Sequence, residues 1–188
     1  VSGIRANGGV AHGLQLDVTN RERVLAIFED IHREIGPVDR LIVNAGVAGS
    51  SKAIEFNSEA LAHIIDVNLV AAAHCIQAVL PKMLQRRQGH LIAVGSLAGY
   101  RGLPGSGAYC ASKAGLAALI ESIRLEVRSY GLDVTLICPG YIRTPLTSTN
   151  RFKMPYMLEV DDAADRIFRS VERRDTEYSF PWQLAWQV

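Results

Sequence analysis

The chain has 188 residues, a formal net charge of +1, 48% apolar and 21% charged residues. That length suits one domain and that apolar fraction is ample for a packed core, so a disordered chain is excluded. Twenty basic against nineteen acidic side chains leave no net field for a polyanion, so no nucleic-acid partner is expected.

The uninterrupted apolar stretches, such as residues 69–73 and 116–120, fall far short of the ~20 residues of a membrane span, and no transmembrane segment is expected. Cys75, Cys110 and Cys138 are odd in number and widely separated. They fit neither a disulfide framework nor metal-ligand spacing, which points to buried thiols, no bound metal and a cytoplasmic setting.

Residues 10–18 alternate, with Leu14, Leu16 and Val18 two apart, and predict a strand. Thr19 and Glu22 have capping-box spacing and open a helical stripe of Val24, Ile27, Phe28, Ile31 and Ile35, which Gly36 and Pro37 stop. Residues 41–43 are a continuous apolar run, the pattern of a strand buried on both faces. Asn57 or Ser58 caps a helix carrying Leu61, Ile64, Ile65, Leu69, Ala72 and Ile76, with Pro81 bending or ending it. Residues 91–94 predict another buried strand. From Tyr109 to about Tyr130 the pattern is helical, with Leu116, Leu119, Ile120, Ile123 and Val127 on one side. Residues 134–138 predict a strand ended by Pro139 and Gly140. Asp161 is the expected cap of a helix with Ala164, Ile167, Phe168 and Val171 inward, and residues 178–181 open a last strand.

This alternation predicts an α/β fold, a doubly wound parallel sheet of Rossmann type in three α/β/α layers, with residues 1–188 in a single domain. Ligands of such sheets bind beyond the carboxyl ends of the strands. The informative residues are therefore Asp17-Val18, Asn44-Ala45-Gly46, Gly95-Ser96 and Pro139-Gly140. Three of these four sites carry glycine, which lets a ligand approach the backbone; simple turn formation is the competing explanation at each. Asn68 falls on the inward stripe of its helix, where an amide must be hydrogen-bonded, and capping a neighbouring loop is its plainest role. Tyr109 and Lys113 stand one helical turn apart on one face. An ammonium there favours the phenolate and lowers the phenol from its ordinary pKa of about 10 toward the range of a general acid/base. Taken alone, the pair is equally the pattern of a solvated helix face.

Together these residues resemble the short-chain dehydrogenase/reductase family, in its compact branch. The match runs through Leu16-Asp17-Val18-Thr19, Val43-Asn44-Ala45-Gly46, Asp66-Val67-Asn68, Val94-Gly95-Ser96, Tyr109-Cys110-Ala111-Ser112-Lys113 and Pro139-Gly140-Tyr141-Ile142-Arg143-Thr144. Val43 stands where the family has a first Asn. The resemblance implies an NAD(P)-dependent oxidoreductase that transfers a hydride between nicotinamide and a small-molecule carbonyl/alcohol substrate. Tyr109 would protonate the carbonyl oxygen or deprotonate the alcohol. Lys113 would lower the tyrosine pKa and hold the nicotinamide ribose. Ser96 would hydrogen-bond the reacting oxygen, and Asn68 would anchor a water that passes protons to Lys113. Asp17 and Val18 would line the adenine site, Asn44, Ala45, Gly46 and Val67 the adenosine ribose, and Pro139, Gly140, Ile142 and Thr144 the nicotinamide. The segment 146–158 would be a substrate lid, and its Phe152, Met154, Tyr156 and Met157 hint at a hydrophobic or bulky substrate. A homodimer or homotetramer is implied, through helices near 58–84 and 108–130, with Ala111, Ala114, Gly115 and Ala118 giving a small-residue surface.

The family's opening strand and Gly-rich turn, which bind the pyrophosphate at a helix N-terminus, have no counterpart in these residues, so NAD and NADP are not distinguished. The resemblance implies a domain incomplete at both ends, part of a longer chain, whose strand at 10–18 lacks a neighbour and whose isolated 188 residues neither bind a dinucleotide tightly nor reduce a carbonyl. A noncatalytic nucleotide-binding or scaffold module with the same fold is the alternative function, and retention of Ser96, Tyr109 and Lys113 argues against it. An epimerase or dehydratase of the extended branch is a third reading, disfavoured by Pro139-Gly140 with Thr144.

Overall fold

The computed structural model describes residues 1–49, 51–148 and 152–187. Its organising element is a parallel sheet of β1 (Arg40–Val43), β2 (His90–Val94), β3 (Asp133–Pro139) and β4 (Glu177–Phe180), ordered as in the sequence. The register sets Leu41 beside Leu91 and Leu91 beside Val134, then Ile137 beside Tyr178. The described helices are α1 (Ser2–Ala6), α2 (Arg21–Glu34), α3 (Ser58–Ile65), α4 (Ala71–Arg86), α5 (Gly107–Val127), α6 (Pro145–Ser148), α7 (Val160–Arg173) and α8 (Trp182–Ala185).

Successive strand residues point to opposite faces, and here they feed two cores. Leu91, Ala93, Val134 and Leu136 meet Ile76, Val79 and Met83 of α4 and Leu116 and Ile120 of α5. Ile92, Ile137 and Phe180 meet Ala163 and Val171 of α7 on the opposite face. Helices on both faces of a parallel sheet give the three-layer α/β arrangement expected from the sequence. β1 departs from its predicted two-sided burial: Leu41 is in the core while Ile42 is 54% exposed, because α7 centres on Ile92 and Ile137 and leaves Ile42 uncovered.

Residues 10–18 form no strand. Val10 is 86% exposed, and the guanidinium of Arg5 donates to Ala11 O from Nε at 2.9 Å. Alternation says which side chains can share a face, but a strand needs a neighbour to take its N–H and C=O groups, and β1 pairs with β2 alone. The cap of α2 is Asn20 rather than Thr19: Asn20 Oδ1 accepts from Arg23 N at 2.9 Å, while the Thr19 amide and hydroxyl are both drawn to Asp17 Oδ1 at 3.0 and 2.8 Å. Asn57 caps α3 as predicted, accepting from the amides of Glu59 and Ala60. α4 continues past Pro81 to Arg86. On α7 the inward residues are Ala163, Ser170 and Val171, with Ile167 half-buried, whereas Ala164 and Phe168 face solvent. Glu159 rather than Asp161 holds the cap position, and it makes no side-chain cap bond. Val171 and Ile167 thus face inward as expected, while small Ala163 and Ser170, rather than Ala164 and Phe168, let α7 lie close on the sheet.

Between α3 and α4 the helix widens into a π-turn, Asp66–Val70, a device that re-aims side chains and recurs at functional sites. The whole run Ser58–Arg86 has the length and apolar composition of a membrane span, which its short uninterrupted apolar stretches do not signal. Its inner side carries Asn68, Ala71, Ile76, Val79 and Met83 against α2, α5 and β1, as a core helix does.

Candidate active site

The carboxyl ends of β1, β2 and β3 deliver Asn44, Ser96 and Gly140 to one edge of the sheet, and α5 brings Tyr109 and Lys113 over it. The π-turn aims Asn68 inward, where it is 1% exposed. Asn68 Oδ1 accepts from Val47 N at 2.7 Å and its Nδ2 donates to Val47 O at 2.9 Å. This two-point clamp fixes the loop that follows Asn44-Ala45-Gly46. The second amide hydrogen goes to Ser112 Oγ at 2.9 Å, and the Ser112 hydroxyl donates to Tyr109 O at 2.7 Å. Asn68 thus caps a neighbouring loop and also links that loop to the helix turn bearing Tyr109.

Lys113 is 5% exposed. Its Nζ donates to Val94 O at 2.8 Å and lies 5.8 Å from the Tyr109 ring centroid. Burial draws its ammonium down to about 8. A Cβ at Gly46 would stand 3.3 Å from Asn68 Oδ1 and 3.7 Å from Lys113 Nζ, so the loop backbone passes directly against both. Ser96 Oγ accepts from Ala98 N at 3.1 Å and reaches Pro139 O at 3.5 Å. Burial pushes the Tyr109 phenol up, and a hydrogen bond with Ser96 pulls it down. The lowering expected from Lys113 is not found: desolvation of the phenolate outweighs the other influences, and the phenol of Tyr109 stays protonated at neutral pH.

The structure therefore brings Asn44, Ala45, Gly46, Asn68, Ser96, Tyr109, Lys113, Pro139 and Gly140 to one place, with Val67 half-buried beside Asn68. Asp17 closes its own turn through Thr19, which holds its carboxyl below the usual range, and Val18 follows it on the same exposed segment. Ile142 pairs with Leu158 in an isolated bridge, and Thr144 N donates to Thr147 Oγ1 at 3.0 Å; both lie on the segment leading to the predicted lid, whose residues 149–151 lie outside the described residues.

Two contributors were not singled out from the sequence. Ser112 had a signal, since it lies on the same helix between Tyr109 and Lys113. Ser51 had none. Its Oγ accepts from Ala108 N at 3.1 Å, capping α5 from 57 residues away, while Ser106 at the helix's own cap position makes no side-chain cap bond.

Residues 1–154 match the family model described as short chain dehydrogenase. An uncharacterised oxidoreductase of Myxococcus xanthus is 43% identical over 181 residues, 96% of this chain and 72% of that protein. A 3-oxoacyl-acyl-carrier-protein reductase of Haemophilus influenzae is 34% identical over 140 residues, 74% of this chain and 58% of the relative. Among solved structures, a short-chain dehydrogenase of Streptomyces avermitilis superposes with a TM-score of 0.86 at 24% identity, covering 97% of this chain and 75% of that one, a likeness of fold. An NAD+-bound xylitol dehydrogenase superposes at 0.73 with 30% identity, covering 76% of this chain and 55% of the other. The chain belongs to the short-chain dehydrogenase family of oxidoreductases.

Proposed function

We propose that residues 1–188 belong to one NAD(P)-binding domain that catalyses hydride transfer between a nicotinamide and a carbonyl/alcohol substrate, with Tyr109 as general acid/base. The carrying observation is the convergence of Ser96, at the carboxyl end of β2, with Tyr109 and buried Lys113 one turn apart on α5, the Lys113 Nζ lying 5.8 Å from the Tyr109 ring centroid. Burial keeps the phenol protonated, the state a donor to a carbonyl oxygen needs. Ser96 offers that same oxygen a second hydrogen bond, which stabilises the charge that grows on it. Lys113 is charged below about 8 and stabilises the phenolate left after proton donation.

A dinucleotide's nicotinamide end fits these residues. Gly46 leaves room where a Cβ would crowd Asn68 and Lys113, and Lys113 Nζ, which donates one hydrogen to Val94 O, has further N–H groups to offer ribose hydroxyls. Lys113 and Tyr109 would hold that ribose; Pro139, Gly140, Ile142 and Thr144 would line the nicotinamide; Asn44, Ala45, Gly46 and Val67 the adenosine ribose; Asp17 and Val18 the adenine. NAD or NADP would supply or accept the hydride.

The relatives named as 3-oxoacyl reductase and xylitol dehydrogenase mark two carbonyl classes, acyl thioesters and polyol-derived ketones, to assay first. A homodimer or homotetramer fits the surface. Ala111, Ala114 and Ala118 of α5 are exposed in one row, and Leu61, Ile65 and Val70 line an open hollow on α3 and the π-turn. Gly115 packs within the chain instead, where a Cβ would meet Leu69 at 2.9 Å.

The deciding experiment follows nicotinamide absorbance with the intact protein and both carbonyl classes. Tyr109→Phe should lower turnover by roughly 100-fold or more and leave dinucleotide affinity nearly unchanged, because Lys113 still holds the ribose. Full turnover in that variant overturns the reading.

A further inference from the structure

A second cluster joins the turn after Ser96 to the far edge of the sheet. Tyr100 closes the turn Leu97–Gly99, and its hydroxyl bonds the Glu177 carboxylate and stands 2.8 Å from Ser179 Oγ. Both partners lie on β4. The buried Cys138 thiol, on β3, packs beside the start of the turn, where a Cβ at Gly95 would lie 3.3 Å from its sulfur. On its other side the turn rests on α5: a Cβ at Gly99 would lie 3.1 Å from the Lys113 carbonyl carbon and 3.2 Å from Ala114 N. Only glycine permits that approach. The turn is therefore held between the helix carrying Tyr109 and Lys113 and the strand at the sheet edge.

Ser96 starts this turn, and its Oγ accepts from Ala98 N at 3.1 Å, so the shape of the turn and the aim of the hydroxyl are one structure. We propose that Tyr100 is a positioning residue for Ser96, its phenol tethering the Leu97–Gly99 turn to Glu177 and Ser179 so that the Ser96 hydroxyl keeps its place at the end of β2. This rests on the assignment of Ser96 and Tyr109 as the pair that meets the carbonyl oxygen. The bond to Glu177 is charge-assisted and stronger than a neutral one. Tyr100 is 45% exposed, so water competes for it and the effect is graded rather than absolute.

In the intact protein, Tyr100→Phe keeps the ring and removes the hydroxyl. It should lower kcat by about three- to tenfold, as loss of one hydrogen bond predicts, with the dinucleotide KM unchanged and faster hydrogen exchange at the Ala98 amide. Glu177→Gln keeps an acceptor oxygen and should stay within about twofold of the wild type. The double variant Glu177→Leu/Ser179→Ala removes both acceptors from the β4 side and should reproduce the loss, which keeps the test open if Tyr100→Phe folds poorly. Wild-type kcat in both the Tyr100 and the double variant, or unaltered Ala98 exchange, overturns the tether. The exchange readout needs no turnover, so it is separate from the assignment of Ser96, which falls if Ser96→Ala turns over like the wild type.

Discussion

Lys113 donates to the Val94 carbonyl at 2.8 Å, two residues before Ser96 on the same chain segment. The bond anchors the lysine to the strand end that carries the serine, and Tyr109 stands one turn back on the lysine's own helix. Tyr109 and Lys113 are thus set by α5, and Ser96 by the turn that leaves the end of β2.

That anchoring is made at the cost of burying a cation. Lys113 loses its proton near 8 in the folded protein, against 10.5 for a free lysine, so the unfolded chain binds more protons between these values. The penalty is in full force below about pH 8 and is relieved as pH rises toward 10.5. Lys113→Met should therefore remove this rise in stability with pH while weakening both turnover and dinucleotide affinity. Thermal melts of both proteins across that window check it; an identical alkaline rise in the variant refutes the account.

Asn68 Oδ1 accepts from the Val47 amide, and its Nδ2 donates to the Val47 carbonyl and to Ser112 Oγ. Asn68→Ala takes this partner from the half-buried Val47 groups and from buried Ser112, each at up to about 1–3 kcal/mol. We expect a stability loss of roughly 3 kcal/mol or more and a raised dinucleotide KM, because the loop holding Asn44, Ala45 and Gly46 loses its clamp. Asn68→Asp keeps the acceptor but not the donor and should recover part of each. Denaturant titration and initial-rate kinetics read the two effects separately.

Ser51 caps the helix that carries Tyr109 from outside it. Ser51→Ala should cost about 1 kcal/mol, the usual value of a lost N-cap. Ser51→Thr keeps a hydroxyl and should hold most of it. Equal stability of the wild type and Ser51→Ala would show that water replaces the hydroxyl without penalty.

The sequence was most readable where one physical cause acted locally. The apolar runs at 91–94 and 134–138 became β2 and β3 because both faces of those strands are covered, and the one-turn spacing of Tyr109 and Lys113 survives because a helix imposes it. It was least readable where the outcome depends on a distant neighbour. Residues 10–18 have a good strand pattern and no partner strand. Ile42 belongs to an apolar run, yet nothing covers it. Phe168 is as apolar as Val171, but the small residues Ala163 and Ser170 decide which side of α7 approaches the sheet. Ser51 and Glu177 reach the site region from positions whose local sequence carries no trace of that role. The phenol of Tyr109 illustrates the same limit for electrostatics: the lysine spacing predicted a lowered pKa, and burial, which spacing does not encode, raises it.

At the opposite edge of the sheet, His90 is buried at 5% exposure and its Nε2 lies 2.8 Å from Thr135 Oγ1. The Thr135 hydroxyl spends its hydrogen on Asp175 O at 2.5 Å, so Thr135 is the acceptor and His90 Nε2 carries the proton of the neutral ring. Burial lowers the His90 pKa below the ordinary 6.5, with the nearby Asp133 opposing and Arg40 adding to the shift. Below 6.5 the unfolded chain therefore takes up a proton that the folded protein resists, and stability falls as pH drops through that value. His90→Gln preserves an N–H donor for Thr135 without a titrating ring. It should flatten the fall in stability below about pH 6.5 while leaving neutral-pH stability within about 1–2 kcal/mol of the wild type. Denaturant titrations at matched ionic strength measure both limbs. If wild type and His90→Gln lose stability in parallel below that pH, the acid sensitivity lies in other groups, such as His32, whose pKa burial also lowers, and His90 is a passive core residue.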